Sequence, residues 1–232
     1  MIKFMKKKYS KIRGFTLIEL LVVIAVIGIL MGMVGPRVFD LLTSSKVKKS
    51  QSIFRSWVTQ LYQYKEHYKY FPPFLLVEDE GKPVLLSEDE DAHDSFIIAL
   101  KGMQWDPSSQ EWLPLEQGSD QRKQNRKGRE FHSFSEDEFG VDGYLADSWG
   151  GTKIRIVVDQ DGDGLIKLDS SAVDEIVTAL KQDYDDEVVD NAIDKISVIR
   201  EKVGIYVLYD DSGETESENV FSWDILKYLG ED

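Results

Sequence analysis

The sequence predicts an α+β protein: one long amino-terminal helix packed on a small antiparallel sheet, with a helical segment inserted between strands. Three observations predict it. Apolar residues run almost unbroken from Phe15 to Gly35, and the pattern then continues at helical spacing towards Tyr70. Segments rich in β-branched residues, 152–159 and 203–211, read as strands. Between them, 172–202 returns to a helical period.

The first element is the apolar run. From Phe15 to Gly35 only Thr16 and Glu19 are polar. Such a helix is about 30 Å long, enough to cross a hydrocarbon core. Six bases and no acid precede it (Lys3, Lys6, Lys7, Lys8, Lys11 and Arg13), so the positive-inside bias keeps residues 1–14 cytoplasmic. The run is longer than the apolar part of an ordinary signal peptide, and no small-residue cleavage site closes it. Glu19 is then the anomaly. A carboxylate in a membrane segment is costly and marks a function with a definite partner. Pro36 follows, lacking an amide donor, and is expected to kink or loosen the helix. Gly28 and Gly32 allow close helix approach.

Beyond Pro36 the helix becomes amphipathic. Phe54, Trp57, Val58, Leu61 and Tyr68 share one face, and Pro72 and Pro73 stop it near Tyr70. "DSFIIALKGM" (94–103) reads as a short helix ended at Gly102, and "EQGSDQRKQNRKGRE" (116–130) as a loose, locally basic loop. Trp149 in "DSWGG" is a candidate for burial. The histidines, His67, His93 and His132, have no second histidine at ligand spacing and read as surface or helix-face residues. In 172–202 the periodic set is Val173, Ile176, Val177 and Leu180, then Val188, Val189, Ala192, Ile193, Ile196 and Ile199. "QDYDDE" divides it into two helices.

Composition narrows the function. There is no cysteine, which excludes disulfides and thiolate metal sites. Without the basic leader the chain holds 22 bases against 42 acids, a net of −20 that repels nucleic-acid phosphates and leaves room for divalent cations. No nucleophile–base pair, phosphate loop or metal-histidine cluster is present, so an enzyme is not expected. In "DQDGDGLIKLD", Asp159, Asp161 and Asp163 alternate before Gly164, as in the first half of an EF-hand loop. Asp169 falls at loop position eleven, one short of the place of the bidentate acid. This loop is a candidate calcium site.

"RGFTLIELLVVIAVIGIL" resembles the processing signal of type IV pilins and type II secretion pseudopilins. The resemblance implies cleavage by prepilin peptidase after Gly14, N-methylation of Phe15, and pairing of Glu19 with the terminal amine of a neighbouring subunit. The physics agrees, since two opposite charges in a low-dielectric bundle are tolerable only as a pair. The body is most similar to the major pseudopilin. "NRKGREFHSFSEDEFGVDGYLADSWGG" is similar to the family's N-P-x-G and D-P-W-G pattern, with Ser148 where proline is common. Val220, Phe221, Ser222 and Trp223 are similar to its closing element. The family's calcium loop corresponds to 210–219, where Asp211, Glu216 and Glu218 could donate oxygens, although Glu218 and Asn219 replace its paired aspartates.

The resemblance implies a pilin-like fold in three parts: a leader over 1–14, a transmembrane helix half over 15–36, and an extracytoplasmic globular domain over 37–232. The implied function is a structural subunit of a type II secretion pseudopilus, with a type IV pilin or minor pilin of adhesion, motility or uptake as the alternative. Implied partners are the chain itself, other pseudopilins, prepilin peptidase, an inner-membrane assembly platform and membrane lipid.

Overall fold

A computed structural model describes residues 16–87, 90–106, 109, 111–208 and 218–230, with only the backbone of 33–40 and 90. The chain divides into two compact units, Met1–Ser44 and Ser45–Asp232.

Helix α1 spans Leu17–Tyr68 and continues through Pro36. Its first described part is exposed and apolar, with Leu17, Ile18, Leu20 and Leu21 more than half exposed. Among the described residues, no helix is long and apolar enough to cross a membrane. The described apolar side chains stop at Gly32. Phe15 and the side chains of 33–36, which complete the expected span, lie outside the described set. In the second unit α1 buries Phe54, Trp57, Leu61 and Tyr64 completely. The expected stripe is present, with Tyr64 added and Val58 and Tyr68 half-buried. The helix ends two residues before Tyr70, where Lys69 takes a φ of +73°.

The remaining elements are short: β1 (Val84–Leu85), α2 (Glu90–Lys101), β2 (Met103–Asp106), β3 (Glu111–Pro114), β4 (Arg155–Val158), β5 (Ile166–Lys167), α3 (Ser170–Asp183), α4 (Asp186–Asp190), α5 (Ile193–Ile196), β6 (Val198–Ile199), β7 (Val203–Val207), β8 (Val220–Phe221) and α6 (Leu226–Leu229). The main sheet is antiparallel, in the order β1-β4-β7-β8. The hairpin β2–β3, which pairs Trp105 with Trp112, has no counterpart among the expected elements. The insertion holds three helices rather than two and closes on the β5–β6 pair.

Strand alternation gives the sheet two buried faces. Ile156, Val158, Ile205 and Val207 point into a core with Phe54, Trp57 and Leu61 of α1 and Phe96 and Leu100 of α2. Val157, Tyr206 and Phe221 point into a second core with Ile176 and Leu180 of α3 and Val189 of α4. The inserted helices are therefore the cover that the second face needs. On this second face Gly204 is closely covered: a Cβ there would come within 3.1 Å of Trp223 and 3.2 Å of Val157.

Two histidines are not surface residues. His93 is buried, and its Nε2 accepts the Leu145 N–H at 3.1 Å. His132 lies against the buried Glu138, whose Oε2 also accepts Trp57 Nε1–H at 2.6 Å. Trp149 is half-buried, with Lys46 Nζ 5.7 Å from its ring centre.

Candidate assembly segment and acidic turn

Three hydrogen bonds organise the start of α1. Thr16 N–H and Thr16 Oγ1 both donate to Glu19 Oε2 at 2.8 Å, and Glu19 N–H donates to Thr16 Oγ1 at 3.3 Å. This is a capping box, in which a hydroxyl and a carboxylate three residues apart satisfy donors that a helix start leaves unpaired. Its sequence signal is Thr-x-x-Glu before an apolar run. Glu19 thus has a local partner within its own chain, ahead of any partner in a neighbour. Gly14 and Phe15 lie outside the described residues.

The acidic turn follows β4. Among the described residues, Asp159, Asp161 and Asp163 converge, with one oxygen from each within 4.8 Å of the others. Asp159 is buried; the other two are exposed. Each carboxylate oxygen already has a donor. Asp159 accepts Gly162 N–H at 2.7 Å on Oδ1 and Gly164 N–H at 3.0 Å on Oδ2. Asp161 Oδ1 accepts Asp163 N–H, and Asp163 Oδ1 accepts Leu165 N–H. The remaining two oxygens, Asp161 Oδ2 and Asp163 Oδ2, face Lys167 Nζ at 2.9 and 2.7 Å. Lys167 occupies loop position nine and brings an ammonium to the place a metal would take. Asp169 turns away, its Oδ1 accepting Ala172 N–H as the N-cap of α3. Of the second candidate set, Asp211 and Glu216 lie outside the described residues. Glu218 is described, and its carboxyl is raised above the ordinary range by burial and then by the charge of Asp183.

Lys167 sets the electrostatics of the turn. Its hydrogen bond, followed by the Asp163 N–H, holds Asp161 down to about 2. Asp163 and Asp161 together push Lys167 above its ordinary value. A lowered acid contributes stability above its unfolded value and loses it as pH falls through about 2. A raised lysine loses its contribution only as pH climbs past its own ordinary range. The pairing therefore persists between the two limits. Calcium could reach Asp161 and Asp163 only by displacing Lys167. Lys167→Met should accordingly create or enlarge a calcium response, with the melting temperature of the Ser45–Asp232 body rising by a few degrees in calcium over chelator. Superimposable melts of Lys167→Met in the two media would show that the aspartates form a plain turn.

Against known proteins, residues 9–35 match the family model of the prokaryotic N-terminal methylation motif. No curated protein and no solved structure matches the chain. The motif is of the prepilin type found in type IV pilin-like proteins, and implies processing by prepilin peptidase and filament assembly. The match ends before the body begins.

Proposed function

We propose that the protein is a structural subunit of a pseudopilus, the short envelope filament of a type II secretion system. The observation that carries this reading is the methylation motif over 9–35, with Glu19 placed at the capped start of an exposed apolar helix. In the proposed topology the leader is cytoplasmic, α1 crosses the inner membrane with its first half, and the acidic body is extracytoplasmic. The body has a pilin-like fold, and the role is structural rather than catalytic. Two features favour a pseudopilin. The closing Val220–Phe221 strand completes the main sheet. Ser222 clasps β7 twice, its N–H donating to Ile205 O at 2.8 Å and its Oγ accepting Ile205 N–H at 3.0 Å. Any calcium role is structural, and at the turn of Asp159, Asp161 and Asp163 the ion would have to displace Lys167.

The intact mass of the protein from membrane fractions tests the processing step. The expected species lacks residues 1–14 and carries one methyl group on Phe15. A mature terminus within 30–40 would identify ordinary signal peptidase and overturn the reading. Deletion of the gene then separates the two filament types: retained exoproteins support a pseudopilus, whereas normal secretion with lost adhesion or motility assigns a type IV pilin.

A further inference from the structure

The 116–130 segment is not the loose loop that its composition suggests. Asn125 is completely buried. Its Nδ2 donates to Ala99 O of α2 at 2.9 Å and to Arg129 O at 2.7 Å, while its Oδ1 accepts Tyr68 O–H of α1 at 2.6 Å and Arg129 N–H at 3.0 Å. All the hydrogen-bonding capacity of one amide is used to fasten the segment to two helices. The segment thereby presents Arg126, Lys127 and Arg129, all exposed, beside Lys69 at the end of α1. Arg126 lies 5.9 Å from the Tyr70 ring centre and Arg129 5.4 Å from that of Phe131. Arg129 Nη1 lies 3.0 Å from His67 Nδ1, and desolvation, ahead of the charges of Lys127, Arg129 and Lys69, pushes the His67 imidazole below its ordinary value. Among the described residues, none of these four cations has a carboxylate within ion-pair distance.

A fixed cationic patch on a chain of net −20 beyond its leader calls for an anionic partner, and the chain supplies one. At the corner between α3 and α4, Asp183, Asp185, Asp186, Glu187 and Asp190 are all exposed. Lys181 meets Asp190 at 2.6 Å, and Asp186 and Glu187 have no cation at ion-pair distance among the described residues. The two patches belong to opposite layers. The basic segment is tied to α1 and α2, which cover one face of the sheet, and α3 and α4 cover the other. Among the described residues, no ion pair joins the two patches within one subunit. Between copies they make a heterologous contact, which propagates into an open filament unless the rotation closes a ring.

We propose that the basic segment around Arg126 and Lys127 docks on the acidic α3–α4 corner of a second copy of the chain, joining successive subunits head to tail. This assigns the insertion a second role, as the acceptor of the neighbouring subunit. The proposal rests on the filament reading.

The test is charge reversal in the full chain, read as the yield of sheared filaments. Arg126→Glu with Lys127→Glu should lower the yield by about a hundredfold, because like charges then face each other across the contact. Asp186→Lys with Glu187→Lys should do the same, and a chain carrying all four changes should recover most of the yield. All four side chains are exposed, so thermal melts of each variant body should match the unchanged one. Filaments that form equally well from either half-reversed chain would overturn the docking proposal and leave the filament reading intact. So would a fourfold variant that melts normally yet stays defective. If Arg126→Glu with Lys127→Glu alone blocks assembly and also abolishes pelleting of the body with phosphatidylglycerol vesicles, the patch is a lipid site and the proposal falls. An unchanged chain that forms no filaments overturns the filament reading and takes the proposal with it.

Discussion

Glu19→Ala should leave cleavage after Gly14 intact and remove the chain from filaments. The residue does two things that alanine cannot. It completes the capping box with Thr16, and on the proposed pairing it would offer a negative charge to a neighbour's terminal amine in an apolar surrounding. The first loss is modest, since a cap contributes about 0.5–2 kcal/mol. The second is larger, because stranding one partner of a desolvated pair costs about 3–5 kcal/mol. Glu19→Gln separates the two contributions. Glutamine serves in a capping box as glutamate does, but carries no charge. Assembly should fail for both variants if pairing is the decisive role. Sheared-filament yield is the measurement, and a glutamine variant that assembles normally would reduce Glu19 to a helix cap.

Glu138→Ala is expected to cause a large loss of stability in the body. The Glu138 carboxylate is buried and accepts hydrogen bonds from Trp57 Nε1 at 2.6 Å and from Ser135 N and Oγ at 2.9 Å, with His132 Nε2 at 2.8 Å from Oε2. It ties the segment after residue 130 to the centre of α1. Alanine would strand Trp57 Nε1–H in the core and leave His132 without its acceptor, at a cost of about 3–5 kcal/mol. For a domain of this size that lowers the melting temperature by roughly 10 °C. The pH dependence has a definite sign. Burial works to raise the carboxyl, but hydrogen bonds from His132, Ser135 and Trp57 outweigh it and hold it below its ordinary value of 4.5. A lowered acid stabilises above its unfolded value and loses that contribution as pH falls through the lowered one. The unchanged body should therefore lose stability below about 4.5, and Glu138→Ala should flatten that limb of the curve. Parallel acid limbs in the two proteins would show that Glu138 is not the responsible group.

The features legible in the sequence and those hidden from it divide along physical lines. Helix α1 is legible because its apolar positions repeat over many turns, and its end because Pro72 and Pro73 forbid more helix. Local composition marks β4, β7 and the helical insertion. The clasp between Trp57 and Glu138 is hidden, because 81 residues separate the partners and neither looks unusual in its own neighbourhood. Asn125 is hidden for a different reason: within a polar stretch nothing marks which side chain turns inward. The hairpin β2–β3 escapes notice although Trp105 and Trp112 flank an Asp-Pro turn signal. At the acidic turn the aspartates are visible, but a lysine at loop position nine looks like spacing until the fold aims its charge at them.

That lysine changes what the turn requires of its surroundings. A free ion occupies a site only while the medium holds enough of it, and leaves when diluted or chelated. The ammonium of Lys167 is tethered four residues from Asp163, so its local concentration is set by a short stretch of backbone rather than by the solution. An envelope-assembled protein meets ionic conditions that vary with the medium. With its cation built into the chain, this turn passes through all of them in one state.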